Sequence, residues 1–248
     1  AFKASLYSAV HTPFTLTPTP ISRGDYQHLK GVAQTLSKLI YAVSEDHGFL
    51  YDAIHPIAAG DPFFSALLSM HQHIHSSPGS APRLPLLIMR SDFMDDRRNG
   101  HQLVEFNGIA AGMGPFGQRI HELHRYLRRQ WPAISIQESH QTVAELVCNH
   151  AIEGLSAGIA EATFKIKREF GDPGPARFLM IVQEHENNVF DQHLLELALQ
   201  QRGIETQRRT FRELHNQLST GANDRLILNG IGPLDTVYLR AGYQYSDY

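Results

Sequence analysis

Strand-like and helix-like segments alternate in the last third of the chain, and this alternation constrains the fold more than any other feature. Phe178–Val182 is a continuous apolar run, typical of a strand buried on both faces. The helix predicted over Val189–Arg202 ends at Gly203, a residue suited to a helix C-terminus. The other predicted elements are strands at Ile204–Thr210, Leu226–Leu228 and Thr236–Arg240 and a short helix at Phe211–Gln217. The order β-α-β-α-β-β predicts an α/β domain with a mostly parallel sheet.

The preceding part of the chain is predicted to be helical, with one β-hairpin. Helices are predicted at Gly24–Val43, Asp61–His75, Phe116–Gln130 and Val143–Phe170. Asn99-Gly100, between an apolar run that begins at Leu84 and the alternating run Leu103–Asn107, indicates the hairpin. The Gly- and Pro-rich segment Gly171–Pro175 indicates a boundary, so we predict domains at residues 1–174 and 175–248.

Composition excludes several classes of function. The 248 residues carry a net charge of −3, which gives no basic surface for nucleic acid or an acidic membrane. No apolar run approaches the roughly 18 residues that span a bilayer, and the N-terminus lacks a signal-peptide pattern. The single cysteine, Cys148, is expected to pack in the interior and fits a reducing compartment. We therefore expect a cytoplasmic protein that binds neither nucleic acid nor membrane.

Histidine is abundant, with 15 residues, and two pairs have helical spacing. His71 and His75 share one helix face and would supply two metal ligands, but the sequence shows no third ligand at a recognisable spacing. We therefore predict a solvated helix face there. The same prediction applies to His121 and His124.

Two polar clusters surround the predicted hairpin. Arg90 follows an apolar run, where its guanidinium can bind a carboxylate or a phosphate, although this motif alone favours an ordinary surface arginine in a hairpin. Glu105 and Asn107 are two residues apart on a strand and point to one face. Their oxygen atoms suit Mg²⁺, and the glycine-rich loop that follows offers free backbone N–H groups to a ligand. Either cluster alone is a weak signal.

A third cluster lies at the expected carboxyl end of the parallel sheet, where α/β proteins bind ligands. Asn188 and Gln192 are one turn apart at the start of a helix, and Glu186 precedes them. Arg240 and Tyr243 follow the last strand. Neutral amides beside an arginine and an acidic residue suit a zwitterionic amino acid better than a polyphosphate. Helix capping and turn formation are the alternative explanation.

Taken in order, these motifs resemble the eukaryotic glutathione synthetase family. The matching segments are Pro13–Pro18, Arg90–Met94, Glu105–Asn107, Gln183–Gln192 and Tyr238–Tyr243. Their order and spacing agree across nearly the whole chain. The resemblance implies part of an ATP-grasp ligase, with a helical N-terminal part and a substrate-binding α/β domain. Such an enzyme uses ATP and Mg²⁺ to join γ-glutamylcysteine to glycine through an acyl phosphate, forming glutathione, and the family is generally homodimeric.

The resemblance also implies roles for individual residues. Arg90 matches a catalytic arginine that holds substrate and neutralises charge at the acyl phosphate. Glu105 and Asn107 match the Mg²⁺ ligands, and Glu105 also lies near the ATP phosphates. The implied substrate-binding residues are Arg90, Ile109, Ala110, Ala111, Gly112, Glu186, Asn187, Asn188, Gln192, Arg240, Ala241, Gly242 and Tyr243.

The sequence departs from the family pattern at three positions and lacks part of it. Ala110 and Gly112 stand where serines are common, and Ala241 stands where many relatives have an acidic residue. No lysine followed by a glycine-rich loop is present, so we expect an incomplete ligase, with the rest of the ATP-grasp fold supplied elsewhere. The alternatives are a non-catalytic module that binds γ-glutamyl peptides, and a ligase of the same mechanism with another amine acceptor.

Overall fold

A computed structural model of the chain describes residues 2–5, 8–76, 84–132 and 145–248. Its helices are α1 (Arg23–Glu45), α2 (His47–Ala58), α3 (Pro62–Ser76), α4 (Gly114–Gln130), α5 (Ala151–Phe170), α6 (Val189–Gln200) and α7 (Phe211–Leu214). Its strands are β1 (Phe2–Ser5), β2 (Ser8–Val10), β3 (Arg90–Asp96), β4 (Gly100–Asn107), β5 (Ala176–Ile181), β6 (Ile204–Arg209), β7 (Leu218–Thr220), β8 (Leu226–Leu228), β9 (Gly232–Pro233) and β10 (Thr236–Leu239). The predicted α/β class is confirmed.

The parallel sheet has the strand order β10-β5-β6. Successive side chains of β5 enter different cores, because neighbouring residues of a strand point to opposite faces. Phe178 and Met180 pack with residues of α5 and α6 on one face, and Leu179 and Ile181 pack with Leu214 on the other. Burial on both faces explains why β5 is apolar from Phe178 to Ile181.

The prediction that β8 joins the parallel sheet is wrong. Leu226–Leu228 is the middle strand of a separate antiparallel sheet, β7-β8-β9. Only residues 229–235 separate β8 from β10, and a parallel connection needs a dozen or more residues. The chain instead turns back locally through Gly230 and Gly232, which both have positive φ angles.

The predicted hairpin is confirmed, but its first strand begins later than the apolar run. Residues 84–89 form no strand, so Arg90 begins β3 rather than following a strand. In the turn, the Asp96 carboxylate accepts hydrogen bonds from the backbone N–H groups of Arg98 and Asn99. Gly100 has a φ of 71° and starts β4, which explains the Asn-Gly signal.

Two helix predictions need correction. The long helix predicted from Val143, which lies outside the described residues, begins at Ala151, since residues 145–150 are not helical. Asn149 Oδ1 accepts from the Ala151 N–H and fixes this start. Helix α2 was not predicted, because one residue, Asp46, both ends α1 and caps α2, where it accepts from the Phe49 N–H. Sequence periodicity does not resolve so short a break.

Two expectations about burial are also wrong. Cys148 is exposed, because it lies in the irregular segment before α5. His124 is buried, not solvated, and its Nε2 lies 2.8 Å from the carbonyl oxygen of Thr15. The N-terminal segment thus packs on α4 and encloses that ring.

The first helices carry little buried surface. Neither α1 nor α2 has a buried residue, and Leu68 is the buried apolar residue of α3. None of the helices in the described ranges is both long enough and apolar enough to cross a membrane.

The main core crosses the predicted domain boundary. Ile159 and Ala160 of α5 pack in the same cluster as Phe178 of β5. Helix α5 therefore covers the parallel sheet, and the division at residue 174 stays a prediction.

Candidate functional site

Four polar residues share one face of the β3-β4 hairpin, and we call them the hairpin cluster: Arg90, Asp92, Glu105 and Asn107. Arg90 lies opposite Asn107, and Asp92 lies opposite Glu105. Directly opposed residues of an antiparallel pair point to the same face. The hairpin therefore brings Arg90 together with both predicted Mg²⁺ ligands.

Asp92 is the centre of the hairpin cluster. Its carboxylate accepts from Arg90 Nε at 2.7 Å and from Arg90 Nη2 at 2.9 Å, a two-pronged ion pair. Asn107 Nδ2 donates to Asp92 at 3.1 Å and to Glu105 Oε1 at 3.1 Å. The hydrogen bonds from Arg90 hold the pKa of Asp92 below its ordinary value, so this carboxylate stays charged. Sequence reasoning missed Asp92, although its spacing of two from Arg90 was visible.

The loop after β4 lies against the carboxyl end of β10. The Ala110 N–H donates to the Leu239 carbonyl at 3.1 Å, and the Tyr238 hydroxyl donates to the Ala111 carbonyl at 3.0 Å. Burial raises the pKa of Tyr238 and keeps this hydroxyl protonated as a donor. Ala110 and Met113 both have positive φ angles, so the loop is held in a conformation that costs free energy for these residues.

Asp191 joins this loop to the parallel sheet. It is fully buried, and its carboxylate accepts from the backbone N–H groups of Met113 and Phe116, each at 3.1 Å. Arg240 Nη1 also donates to it at 3.3 Å. The negative charge thus lies at the N-terminus of α4, where the helix dipole favours an anion. Sequence reasoning did not single out Asp191, whose burial depends on three elements that are distant in sequence.

Gly112 lies so close to Arg240 that a side chain would collide with it. A Cβ atom at position 112 would lie 2.7 Å from Arg240 Nη2 and 3.2 Å from Asn188 Nδ2. Gly112, Asn188 and Arg240 therefore meet, and we call these three residues, together with the preceding loop residues Ile109, Ala110 and Ala111, the loop cluster. In it, Asn188 Oδ1 and Arg240 Nε are buried and have no hydrogen-bond partner among the atoms described.

Glu186 and Gln192 bond mainly to each other and to neighbouring protein groups. Glu186 accepts from the Asn188 N–H at 2.9 Å and from Gln192 Nε2 at 2.5 Å. Gln192 is fully buried, and its Oε1 accepts from Arg208 Nη1 at 2.6 Å. These contacts position Asn188 at the start of α6. Asn187 is exposed beside them.

The residues after β10 form a turn around Asp247. Gly242 and Tyr243 donate their backbone N–H groups to its carboxylate at 2.8 Å and 3.2 Å. Burial alone would raise the pKa of Asp247, but these bonds, with one from Gln183, hold it below its ordinary value. Ala241 is buried in the second core, whereas the Tyr243 side chain is 47% exposed. Tyr243 is therefore near the loop cluster in sequence but not enclosed with it.

A separate cleft of about 800 Å³ lies between the N-terminal segment, α4 and α6. Phe14, Phe116 and Leu197 contribute to its mostly apolar wall. Such a lining does not match a zwitterionic or phosphorylated ligand. We therefore assign the polar chemistry to the hairpin and loop clusters.

The fold and these clusters define an α/β protein with a polar site at the carboxyl end of a parallel sheet. The sequence profile of the family described as "Eukaryotic glutathione synthase, ATP binding domain" matches residues 2–222. The chain belongs to that family.

Relatives with the same family name align with nearly all of the chain. It is 28% identical to the glutathione synthetase of Bos taurus over 99% of its length, which covers 50% of that protein. It is 29% identical to the glutathione synthetase of Homo sapiens, with 96% and 48% covered. It is 30% identical to the chloroplastic glutathione synthetase of Solanum lycopersicum, with 96% and 42% covered. The chain thus spans about half the length of these relatives.

One solved structure supports the fold. A glutathione synthetase-like effector from Globodera pallida, solved in its apo form, superposes with a TM-score of 0.73 at 17% identity. The superposition covers 98% of this chain and 54% of the effector. At this identity the likeness describes the fold alone.

Proposed function

We propose that this chain supplies the substrate-binding half and part of the ATP and Mg²⁺ site of a glutathione synthase. The observation that carries the proposal is the loop cluster, in which Gly112 lets Arg240 and Asn188 approach one loop. The family match supports the use of ATP. A homodimer remains a prediction from the resemblance, and a cytoplasmic location remains a prediction from composition.

The loop cluster suits a ligand that both donates and accepts hydrogen bonds. Arg240 Nε is a buried donor and Asn188 Oδ1 a buried acceptor, and neither has a partner among the described residues. Leaving such groups unpaired costs about 1–3 kcal/mol each, so a ligand that pairs them gains this free energy. The γ-glutamyl end of γ-glutamylcysteine carries an α-carboxylate for the arginine and an α-ammonium group for the amide oxygen.

The hairpin cluster fits a magnesium ion by the chemistry of its donors. Glu105 and Asp92 offer carboxylates, and an amide flip would turn Asn107 Oδ1 toward both of them. Glu105, Asp92 and Asn107 would then present three oxygen atoms on one face, and these would hold a Mg²⁺ ion that still accepts phosphate oxygens as ligands. Bound Mg²⁺ would neutralise charge on the ATP phosphates.

The proposed reaction has two steps. The cysteine carboxylate attacks the γ-phosphorus of ATP, which releases ADP and forms an acyl phosphate. The glycine amine then attacks the acyl carbon, phosphate leaves, and the amine loses a proton. Arg90 would stabilise negative charge on the phosphoryl group during its transfer. Asp92 fixes the orientation of the Arg90 guanidinium.

The first test measures binding of γ-glutamylcysteine to the chain by calorimetry. The variant Gly112→Ala forces Arg240 and Asn188 to move, and we expect an affinity loss of about tenfold, or about 1.4 kcal/mol. Gly108→Ala is the matched control, because a Cβ atom there meets only Leu87 Cδ1, at 3.9 Å. Equal losses in both variants would argue against a ligand in the loop cluster.

The second test measures ATP-dependent phosphate release with γ-glutamylcysteine and glycine. The chain is assayed alone and within any longer polypeptide that naturally contains it. Turnover that falls in Arg90→Gln and Glu105→Gln supports the ligase. Binding without turnover in every form favours a module that only binds γ-glutamyl peptides. Turnover with β-alanine but not glycine favours another amine acceptor, in line with Ala110 and Gly112.

A further inference from the structure

Three histidines meet where α2 begins and α3 ends. His47 is the first residue of α2, and His71 and His75 lie one turn apart on α3. A ring nitrogen from each lies within 4.8 Å of one from each of the others. The His47 and His75 rings stack with centroids 3.8 Å apart, and the His71 and His75 centroids are 4.5 Å apart.

The structure overturns the expectation of a solvated helix face without a third ligand. His71 and His75 are half-buried, and His47 approaches them from another helix. His47 Nδ1 is buried and has no hydrogen-bond partner among the described atoms. Sequence spacing could not reveal this third histidine, because His47 and His71 are 24 positions apart and only the packing of α2 on α3 brings them together.

We propose that His47, His71 and His75 bind a divalent transition metal ion of the zinc class. Imidazole nitrogen is a preferred ligand of Zn²⁺, with bonds of about 2.0–2.1 Å and tetrahedral geometry. Such bonds place the ligand nitrogens about 3.3 Å apart. The three ligand nitrogens lie within 4.8 Å of one another, so the proposed binding requires side-chain rotations that bring them closer and unstack the His47 and His75 rings. Three protein ligands leave the fourth position for water.

The bound ion would link α2 to α3, two helices that bury few apolar side chains. Helix α2 has no buried residue, and α3 contributes Leu68. A metal bound by folded but not unfolded protein stabilises the fold in proportion to its affinity and concentration. Zinc would therefore stabilise the packing of α2 on α3, independently of the ligase chemistry proposed above.

The test uses the full chain without a polyhistidine tag, stripped of metal by a chelator. Zn²⁺ is titrated against a chromophoric competitor, Co²⁺ is added to read the visible spectrum, and the unfolding temperature is recorded with and without Zn²⁺. We expect one zinc ion per chain, a tetrahedral Co²⁺ spectrum and a raised unfolding temperature. His47→Gln and His71→Gln should each weaken binding by at least about tenfold.

His73→Gln is the matched control, since His73 lies on the exposed face of the same helix and should bind zinc like the wild type. Circular dichroism verifies that each variant keeps its helices. Zinc binding that survives unchanged in His47→Gln and His71→Gln would overturn the proposal. So would a wild-type protein whose unfolding temperature does not respond to zinc.

Discussion

Helices α1–α3 and the α/β region around β5 are stabilised in different ways. The α/β region buries Phe178, Met180, Ile159 and Leu199 almost completely. In α1–α3, by contrast, apolar side chains such as Leu39 of α1 remain about half exposed. Burial of apolar surface supplies most of the free energy of folding. The site therefore rests on the well-packed region, and the first helices depend more on local interactions.

The comparison teaches where precise geometry is maintained. The loop cluster is supported by a fully buried carboxylate, Asp191, and by strands whose side chains are packed on both faces. The three histidines His47, His71 and His75, in contrast, lie on helices that bury few apolar side chains. A binding site built on rigid elements holds its groups in position before the ligand arrives.

The largest expected effect comes from a substitution in β5. Phe178→Ala removes a ring with no exposed surface, and we expect a loss of about 3–5 kcal/mol of unfolding free energy. Leu39 in α1 is 52% exposed, so Leu39→Ala should change the free energy of unfolding by about 0.5 kcal/mol or less. Urea denaturation of both variants measures the difference. Similar losses would remove the contrast between the two regions.

A smaller effect is expected from the buried carboxylate. Asp191→Asn leaves Arg240 buried beside a neutral partner, so we expect a loss of about 2–3 kcal/mol. Asp95→Asn in the hairpin is the control, because that side chain is 80% exposed. The same denaturation measurement compares them. A stable Asp191→Asn variant would show that the ion pair with Arg240 does not hold the loop.

The smallest effect concerns the hairpin cluster and pH. Arg90 lowers the pKa of Asp92 in the folded state. The ionised Asp92 therefore stabilises the folded protein fully above its unfolded-state pKa, and this contribution is lost as the pH falls through the lowered folded-state pKa. We expect wild type to exceed Asp92→Asn in stability by less than about 1 kcal/mol at neutral pH. This difference should shrink as the pH falls below the ordinary pKa of an aspartate, about 3.9. A constant difference would mean that the charge of Asp92 contributes nothing.

The elements that periodicity describes were predictable from the sequence. The apolar run at β5, the amphipathic α4 and the Asn99-Gly100 turn all appear where local pattern placed them. The strand β8 was assigned to the wrong sheet, because pairing depends on connection length and tertiary packing. Helix α2 was missed at its one-residue junction with α1.

The candidate site was predictable only in part for the same reason. Motif order placed Arg90, Glu105 and Asn107 on one hairpin, and the register of β3 and β4 brings them together. Asp191, Asp247 and Arg208 act through contacts with residues far away in the sequence. No local spacing encodes such contacts. His47 was missed because its partners lie on another helix.

Hydrogen exchange with and without γ-glutamylcysteine tests the central claim most directly. Without ligand, we expect slow exchange in β5 and α5 and faster exchange in α1 and α2, which have no buried residues. With ligand, added protection should appear at residues 109–113, 186–192 and 239–243 and be absent from α1–α3. Protection confined to α1–α3, or no protection anywhere, would contradict a substrate site built by the loop cluster.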